Sequence, residues 1–374
     1  MSDYIATLPL TKWFFDGYEA NHSTLFPGGG KVHYNTVLQS AHDYLNEHVH
    51  PTVQQRAELI DSGVYLTDHG AKHVELVLGR ISQLVRTEEC LRAEDPSRAE
   101  YKPSLMPYEV FLIAMAAHFH DVGNMYGRDG HEQRILEEME KSGALKQIDW
   151  AERKLIADIA SRHGGKVEGD KDTIRSLPAG DQQNGSVHYR PQLLAAVLRL
   201  ADELADEYSR ADNFGLMAPG DLPETCLIFH KYAAGLKVSI KALAGQINLE
   251  FNLMADDLRQ PFKKHVKGRE EGVYLLDEIY ERTLKTFYEM SYCERYMRAL
   301  DCQLHEVRVD VNVYQNQRCP DTIKDASFTY TIGDAEYPCY FRTTQAALRH
   351  LARGFRKLKD GRKMAGFLNK LSVN

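Results

Sequence analysis

Val110-Phe111-Leu112-Ile113-Ala114-Met115-Ala116-Ala117-His118-Phe119-His120-Asp121-Val122-Gly123 opens on eight apolar residues and closes on a histidine, a carboxylate and a glycine. The apolar run has the length of a buried helix and falls short of the roughly 20 residues a membrane span needs. Adjacent residues on a helix lie about 100° apart around its axis, so His120 and Asp121 cannot both face one core from mid-helix. At a helix end both side chains can bend toward one ion, and Gly123 supplies such an end. One imidazole nitrogen with one carboxylate oxygen suits a borderline transition metal. The doublet alone is a common pairing, so its meaning rests on its flanks.

Upstream stands Thr67-Asp68-His69-Gly70-Ala71-Lys72-His73-Val74-Glu75-Leu76-Val77. Thr67 or Asp68 is placed to cap a helix there. His69 and His73 are one helical turn apart, beside an apolar stripe of Val74, Val77, Leu78 and Ile81. Downstream come His131 in Asp129-Gly130-His131-Glu132, His163 in Arg162-His163-Gly164, and Asp202 in Arg199-Leu200-Ala201-Asp202. Asp202 continues a strongly apolar helical run, with Asp206 one turn on. A carboxylate on a buried helix face is costly unless it is paired or bound to a cation. The partner is either Arg199, three residues back, or a metal. His42, His48, His50, His118 and His188 show no such convergence and are read as non-ligands.

The ordered set His, His-Asp, His, His, Asp on successive helices resembles the HD-domain superfamily of metal-dependent phosphohydrolases, over about residues 60 to 210. The resemblance implies that His73 (with His69 as the alternate), His120, Asp121 and Asp202 hold one metal. It further implies that His131 and His163 hold a second, with Arg199 and Asp206 supporting the ligands. The cofactor it implies is one or two divalent ions, Mn, Fe, Mg, Co or Zn. General acid–base roles fall to His69, Asp68 or a His163 that is not a ligand, beside Asp121. Lys72, Arg80, Arg128, Arg162 and Lys166 are the basic candidates for the phosphates of a nucleotide. The lysine usual shortly after the doublet is absent, and Asn124-Met125-Tyr126 stands there.

Around this segment the chain predicts a mainly α fold in three parts. Residues 1–33 form an irregular N-terminal segment. Residues 34–215 form an all-helical domain of the HD type, with helices near 34–48, 52–61, 70–86, 107–120, 131–142, 148–163 and 189–210. Residues 220–374 form a smaller α+β domain. Two long connections, about 87–106 and 164–188, have the character of lids or mobile segments. Period-two alternation predicts strands at Thr225 to Tyr232, Leu236 to Ala242, Gln246 to Met254 and His305 to Tyr314, the last with Val307, Val309, Val311 and Val313 on one face. A long helix is expected over 272–300. The tail, about 343–371, reads as a basic amphipathic helical segment.

Composition narrows the function. The net charge is -7, yet residues from Arg342 onward carry nine Lys or Arg against one acid, so the remainder is near -15 (-7 minus +8) and no general coat for nucleic acid is indicated. The six cysteines form no CxxC pair, which excludes a thiolate zinc knuckle and fits a reducing compartment. The start, Met1 to Leu10, lacks a signal-peptide pattern. Gly28-Gly29-Gly30-Lys31 lacks the strand and spacing of a phosphate loop. The expectation is a cytoplasmic, non-membrane enzyme acting on a nucleotide substrate, first a (deoxy)nucleoside triphosphate hydrolase. The alternatives are a phosphodiesterase for a cyclic nucleotide or dinucleotide, and a nucleotide-sensing effector or scaffold with a secondary metal site. A nucleotide regulator and a homo-oligomer are compatible with each.

Overall fold

The computed structural model describes residues 8–21, 25–27, 31–53, 70–87, 105–126, 130–143, 145–167, 169–211, 216, 223–266, 269–300, 302–316, 321–333, 341–355 and 359–371. The chain divides into two compact units. The first comprises Met1–Arg56, His69–Ala205 and Cys293–Gln303, and the second comprises Ala57–Asp68, Asp206–Tyr292 and Leu304–Asn374. The fold is mainly helical with small sheets, and among the described residues no helix is long and apolar enough to cross a membrane.

The first unit is built on α1 (Pro9–Asn21), α2 (Tyr34–Tyr44), α3 (Ala71–Leu84), α4 (Pro107–Phe119), α5 (Ile135–Lys141), α6 (Trp150–Ala160) and α7 (Pro191–Glu203). Every residue of α4 from Tyr108 to Phe119 is buried, which is why it is apolar all round. Pro107 opens it with a preset φ, and Glu109 accepts the Met106 backbone N–H at 3.0 Å. The same carboxylate takes a two-pronged bond from Arg190, at 2.8 Å from Nε and 2.7 Å from Nη2, tying the start of α4 to the start of α7. α3 packs through the expected stripe, with Val74, Val77, Leu78 and Ile81 all buried. Around the far end, Tyr34 lies edge-on to Phe111 at 4.8 Å, and the Tyr34 and Tyr108 hydroxyls both donate to Glu152 at 3.0 Å.

Four expectations for this region are corrected. The segment read as irregular contains α1. Its burial rests on Leu10, Thr11 and Phe14 alone among its first turns, too few positions to show a helical period, but Phe14 packs against Phe26 and Phe111. The unit is not purely helical, because the 164–188 connection holds a hairpin of β1 (Gln182–Asn184) and β2 (Val187–Tyr189); its strands are three residues each with only Val187 buried, which leaves no pattern to read. Nor does that connection have the character of a free lid. Arg199 donates to Lys171 O and Thr173 Oγ1 at 3.3 and 3.1 Å, Tyr296 to Asp172 Oδ1 at 3.0 Å, and Asn184 Nδ2 to Tyr108 Oη at 3.1 Å. Finally, α7 stops at Glu203 and does not run to 210. The Leu204 carbonyl accepts from Arg80 Nε at 3.0 Å, and the chain turns before a short turn at Tyr208–Arg210. Of the expected helix at 52–61, residues 54–61 lie outside the described residues, as does most of the 87–106 connection.

The second unit centres on a five-stranded sheet in the order β3-β4-β7-β8-β9, with β3 Leu236–Lys241, β4 Gln246–Met254, β7 Glu306–Tyr314, β8 Phe328–Gly333 and β9 Ala352–Arg353. β4 and β7 run parallel, pairing Ile247 with Val307 through Leu253 with Val313, and the other neighbours are antiparallel. Val307, Val309, Val311 and Val313 are buried as expected, each contributing about 1.5–3 kcal/mol of apolar transfer. A separate hairpin joins β5 (Phe262–Val266) to β6 (Arg269–Val273). The helices are α8 (Leu227–Gly235), α9 (Leu275–Met297), α10 (Thr344–Leu351) and α11 (Gly361–Leu371). α8 replaces the strand expected at 225–232. Its buried residues form two adjacent helical stripes, Cys226/His230/Ala233 and Ile228/Tyr232/Gly235, whose overlap mimics alternation over eight positions. The basic tail is two helices, not one, because β9 interrupts it to pair with β8.

Candidate metal centre

Five elements of the first unit each deliver a polar side chain to one place. α3 brings His73, the end of α4 brings His120 and Asp121, the turn before α5 brings His131, the turn after α6 brings His163, and the last turn of α7 brings Asp202. His73 Nε2 lies 3.1 Å from His120 Nε2, 3.0 Å from Asp202 Oδ1 and 3.5 Å from Asp121 Oδ2. His120 Nε2 is 3.3 Å from Asp121 Oδ2 and 3.6 Å from Asp202 Oδ1. On the other side, His131 Nε2 lies 3.2 Å from His163 Nε2, and these two are 3.4 and 3.8 Å from Asp121 Oδ1. Two ligand groups result, His73/His120/Asp121 and Asp121/His131/His163, sharing one carboxylate whose two oxygens point to different groups.

Local backbone geometry aims the rings. His120 Nδ1 bonds to Ala117 O at 2.8 Å and His163 Nδ1 to Ala160 O at 2.7 Å, each to the carbonyl three residues back. A carbonyl only accepts, so Nδ1 carries the proton and Nε2 presents its lone pair inward. Gly123 allows the second group to form, since a Cβ there would lie 2.0 Å from the His131 carbonyl oxygen. The backbone of His131 therefore rests directly on the turn that follows the doublet.

The electrostatics ask for positive charge. Burial disfavours a charged His120, but Asp121 and Asp202 outweigh it and hold its pKa well above the ordinary imidazole value. Burial likewise opposes the Asp202 anion, yet bonds and charge from His120 and His73 hold that carboxyl well below its usual range. His163 goes the other way, lowered by burial and then by the charge of His120. Imidazole lone pairs set against carboxylate oxygens at 3.0–3.6 Å repel unless a proton or a cation lies between them. Nitrogen and oxygen donors without a thiolate fit a divalent cation of the harder or borderline kind.

The structure thus brings together His73, His120, Asp121, His131, His163 and Asp202. His69, Asp68 and Arg128 lie outside the described residues, as does Thr67, and Gly70 stands at the N-cap of α3. Lys72 is exposed on α3. Arg162 and Lys166 line a cavity next to His163. Arg80 is a correction. It is buried and spends its donors on Leu204 O and Gln83 Oε1, which makes it a packing residue. The support expected from Arg199 and Asp206 is also corrected. Arg199 holds the 164–188 connection, and Asp206 accepts from Arg282 at 2.6 Å. Sequence reading gave no role to Glu132, which sits 3.6 Å from His131 Nδ1 and against Gly165, and read Gly123 as a helix end and not as a contact surface; both close quoted motifs but carry no pattern that shows these contacts.

A helical unit that gathers His, His-Asp, His, His and Asp in this order defines the HD class of protein. The family model described as HD-CE matches residues 64–283, more than half of the chain, and the chain belongs to that family. The match runs past the helical unit and includes β3 to β6 and part of α9. No curated protein and no solved structure matches the chain with significance.

Proposed function

We propose that the chain is a metal-dependent phosphohydrolase acting on nucleotides, with (deoxy)nucleoside triphosphates as the first substrates to test. The observation that carries this reading is the sharing of Asp121 between two ligand groups, one on each oxygen. A divalent ion held there supplies Lewis acidity toward phosphate oxygens and lowers the pKa of a water toward neutrality. His73, His120 and Asp202 would hold one ion, His131 and His163 another, and Asp121 both.

The chain's own residues do the positioning. The Ala117 and Ala160 carbonyls lock the His120 and His163 rings, so their Nε2 atoms face inward without a reorganisation cost at the moment of reaction. Burial of His73, His120 and His163 on three different elements keeps bulk water from one side of the site. His163, bonded through Nδ1 and facing Asp121 through Nε2, is assigned to ligation over general acid work.

The purified full chain, loaded in turn with Mn, Mg, Fe, Co or Zn, should hydrolyse a nucleotide, and Asp121→Asn should abolish turnover while leaving the fold intact by circular dichroism. A broad nucleotide panel with no metal-dependent turnover defeats the proposal. The paired groups also suit cleavage of a phosphodiester, as in a cyclic nucleotide or dinucleotide. Product identification separates the two, a linear nucleotide from the second and a nucleoside with inorganic phosphates from the first.

A further inference from the structure

The residues on either side of His131 and of His163 line a cavity of about 430 Å³, within the size range of small-molecule sites. Its walls include Glu132, Ser161, Arg162, Gly165, Lys166 and Thr173. The Arg162 guanidinium is fixed in place by neutral groups, Nε donating to Ser176 Oγ at 2.8 Å and Nη1 to Ser161 Oγ at 3.0 Å. Among the described residues no carboxylate pairs with Arg162 or with the exposed Lys166. Two carboxylates also line the cavity and have other neighbours. Asp158 pairs with Lys154 at 2.6 Å, and Glu132 lies 3.6 Å from His131 Nδ1, beside Gly165. A guanidinium held by serines is pre-oriented yet keeps its full charge, and its remaining N–H groups suit phosphate oxygens.

The geometry points to this cavity as the seat of a second anionic group of the substrate, gripped by Arg162 with Lys166 at the rim. This rests on the phosphohydrolase reading and adds to it a substrate class and a direction. The compound carries at least two phosphates, as a phosphoanhydride chain does, and the non-reacting one lies on the His131/His163 side of the centre. Arg162 then sets specificity and holds no metal. Compounds with a single phosphate, including cyclic mononucleotides, leave the cavity's cations unanswered.

Two measurements test it separately. Calorimetry on the metal-free full chain compares inorganic tripolyphosphate with inorganic phosphate. Tripolyphosphate should bind more tightly, and Arg162→Ala should weaken it by about tenfold, the scale of one charge-assisted bond. Lys166→Ala, at an exposed position where refolding is not at issue, should weaken it by about threefold, as a rim charge does. With metal loaded, Arg162→Ala should cost about tenfold more in kcat/KM on a nucleoside triphosphate than on bis(4-nitrophenyl) phosphate, which lacks the second anion. Unchanged tripolyphosphate affinity in both variants overturns the proposal, and so does an equal loss on the two substrates. If no phosphate compound is turned over, the phosphohydrolase reading falls while the calorimetric comparison still decides the anion site.

Discussion

Gly123→Ala isolates the second ligand group from the first. The added methyl would sit 2.0 Å from His131 O, 2.7 Å from its carbonyl carbon and 2.9 Å from its Cα, all backbone atoms that no rotamer change can move. Relief needs the chain at His131 to retreat by at least about 1 Å, a displacement of the kind that costs roughly 1–3 kcal/mol when a packed site is overfilled. His131 Nε2 now lies 3.2 Å from His163 Nε2 and 3.4 Å from Asp121 Oδ1. A retreat of about 1 Å takes its nitrogen out of the common sphere, since ligand distances are held within a few tenths of an ångström. The three atoms nearest the methyl all belong to His131, while His73, His120 and Asp202 sit on α3, at the end of α4 and on α7. The variant should therefore lose one ion per chain, measured by elemental analysis after equilibrium dialysis with Mn or Fe under anaerobic conditions. Turnover should fall with it, while the melting temperature drops by only a few degrees. A Gly123→Ala protein that keeps two ions at unchanged affinity refutes the argument that this glycine admits His131 to the centre.

Other substitutions test other parts. Arg199→Ala removes the bonds to Lys171 O and Thr173 Oγ1, and should expose the 164–188 connection to limited proteolysis at a cost of about 1–3 kcal/mol; an unchanged cleavage pattern would show that the hairpin and Asp172 suffice to hold it. Glu109→Gln weakens a buried carboxylate that serves Met106 N, Arg190 N and the Arg190 guanidinium. It should lower stability by about 2 kcal/mol in urea melts, within the range for breaking a partly exposed ion pair. Glu152→Gln should act in the opposite sense at neutral pH. Burial raises the Glu152 pKa against the Tyr108 and Tyr34 hydroxyls. A folded-state pKa above the unfolded one means the ionised group weakens the fold, fully so above the folded pKa and progressively less as pH falls toward the ordinary glutamate range. The variant's advantage should therefore be largest near neutral pH and shrink on acidification, as thermal melts from about pH 8 to pH 5 would show; an advantage that grows toward acid pH contradicts the sign.

The residues of the candidate metal centre were legible because each occupies a position that local physics makes awkward. Asp202 follows a run of buried apolar residues, and His120 and Asp121 close a helix otherwise buried all round. Such residues need a reason to be there, and the need survives without knowledge of the fold. What surrounds them was not legible, because it depends on contacts between distant segments. Arg199 stands three residues from Asp202, within reach of it, yet it turns to Thr173, and Asp206, one turn on, lies past the end of α7 and bonds to Arg282. The difference lies in reach. A long guanidinium can satisfy itself on several neighbours, and tertiary packing chooses among them. A short carboxylate at the end of a buried helix can satisfy itself on few.

The same reasoning explains the split success in the second unit. β4 and β7 are central strands with one buried face, so their alternation runs for nine residues and fixes the register of the sheet. β8 and β9 carry less of it, and β5 and β6 have no fully buried residue. α8 shows the reverse error. Over nine residues, a helix buried on a broad face and a strand buried on one face give overlapping patterns, and Gly235 at its end suits either. The first unit escapes this ambiguity where its helices, as in α3, α4 and α7 with 14, 13 and 13 residues, are longer than the window in which the two periods coincide. The HD order could therefore be recovered from sequence with its helices, while the architecture of the second unit needed coordinates.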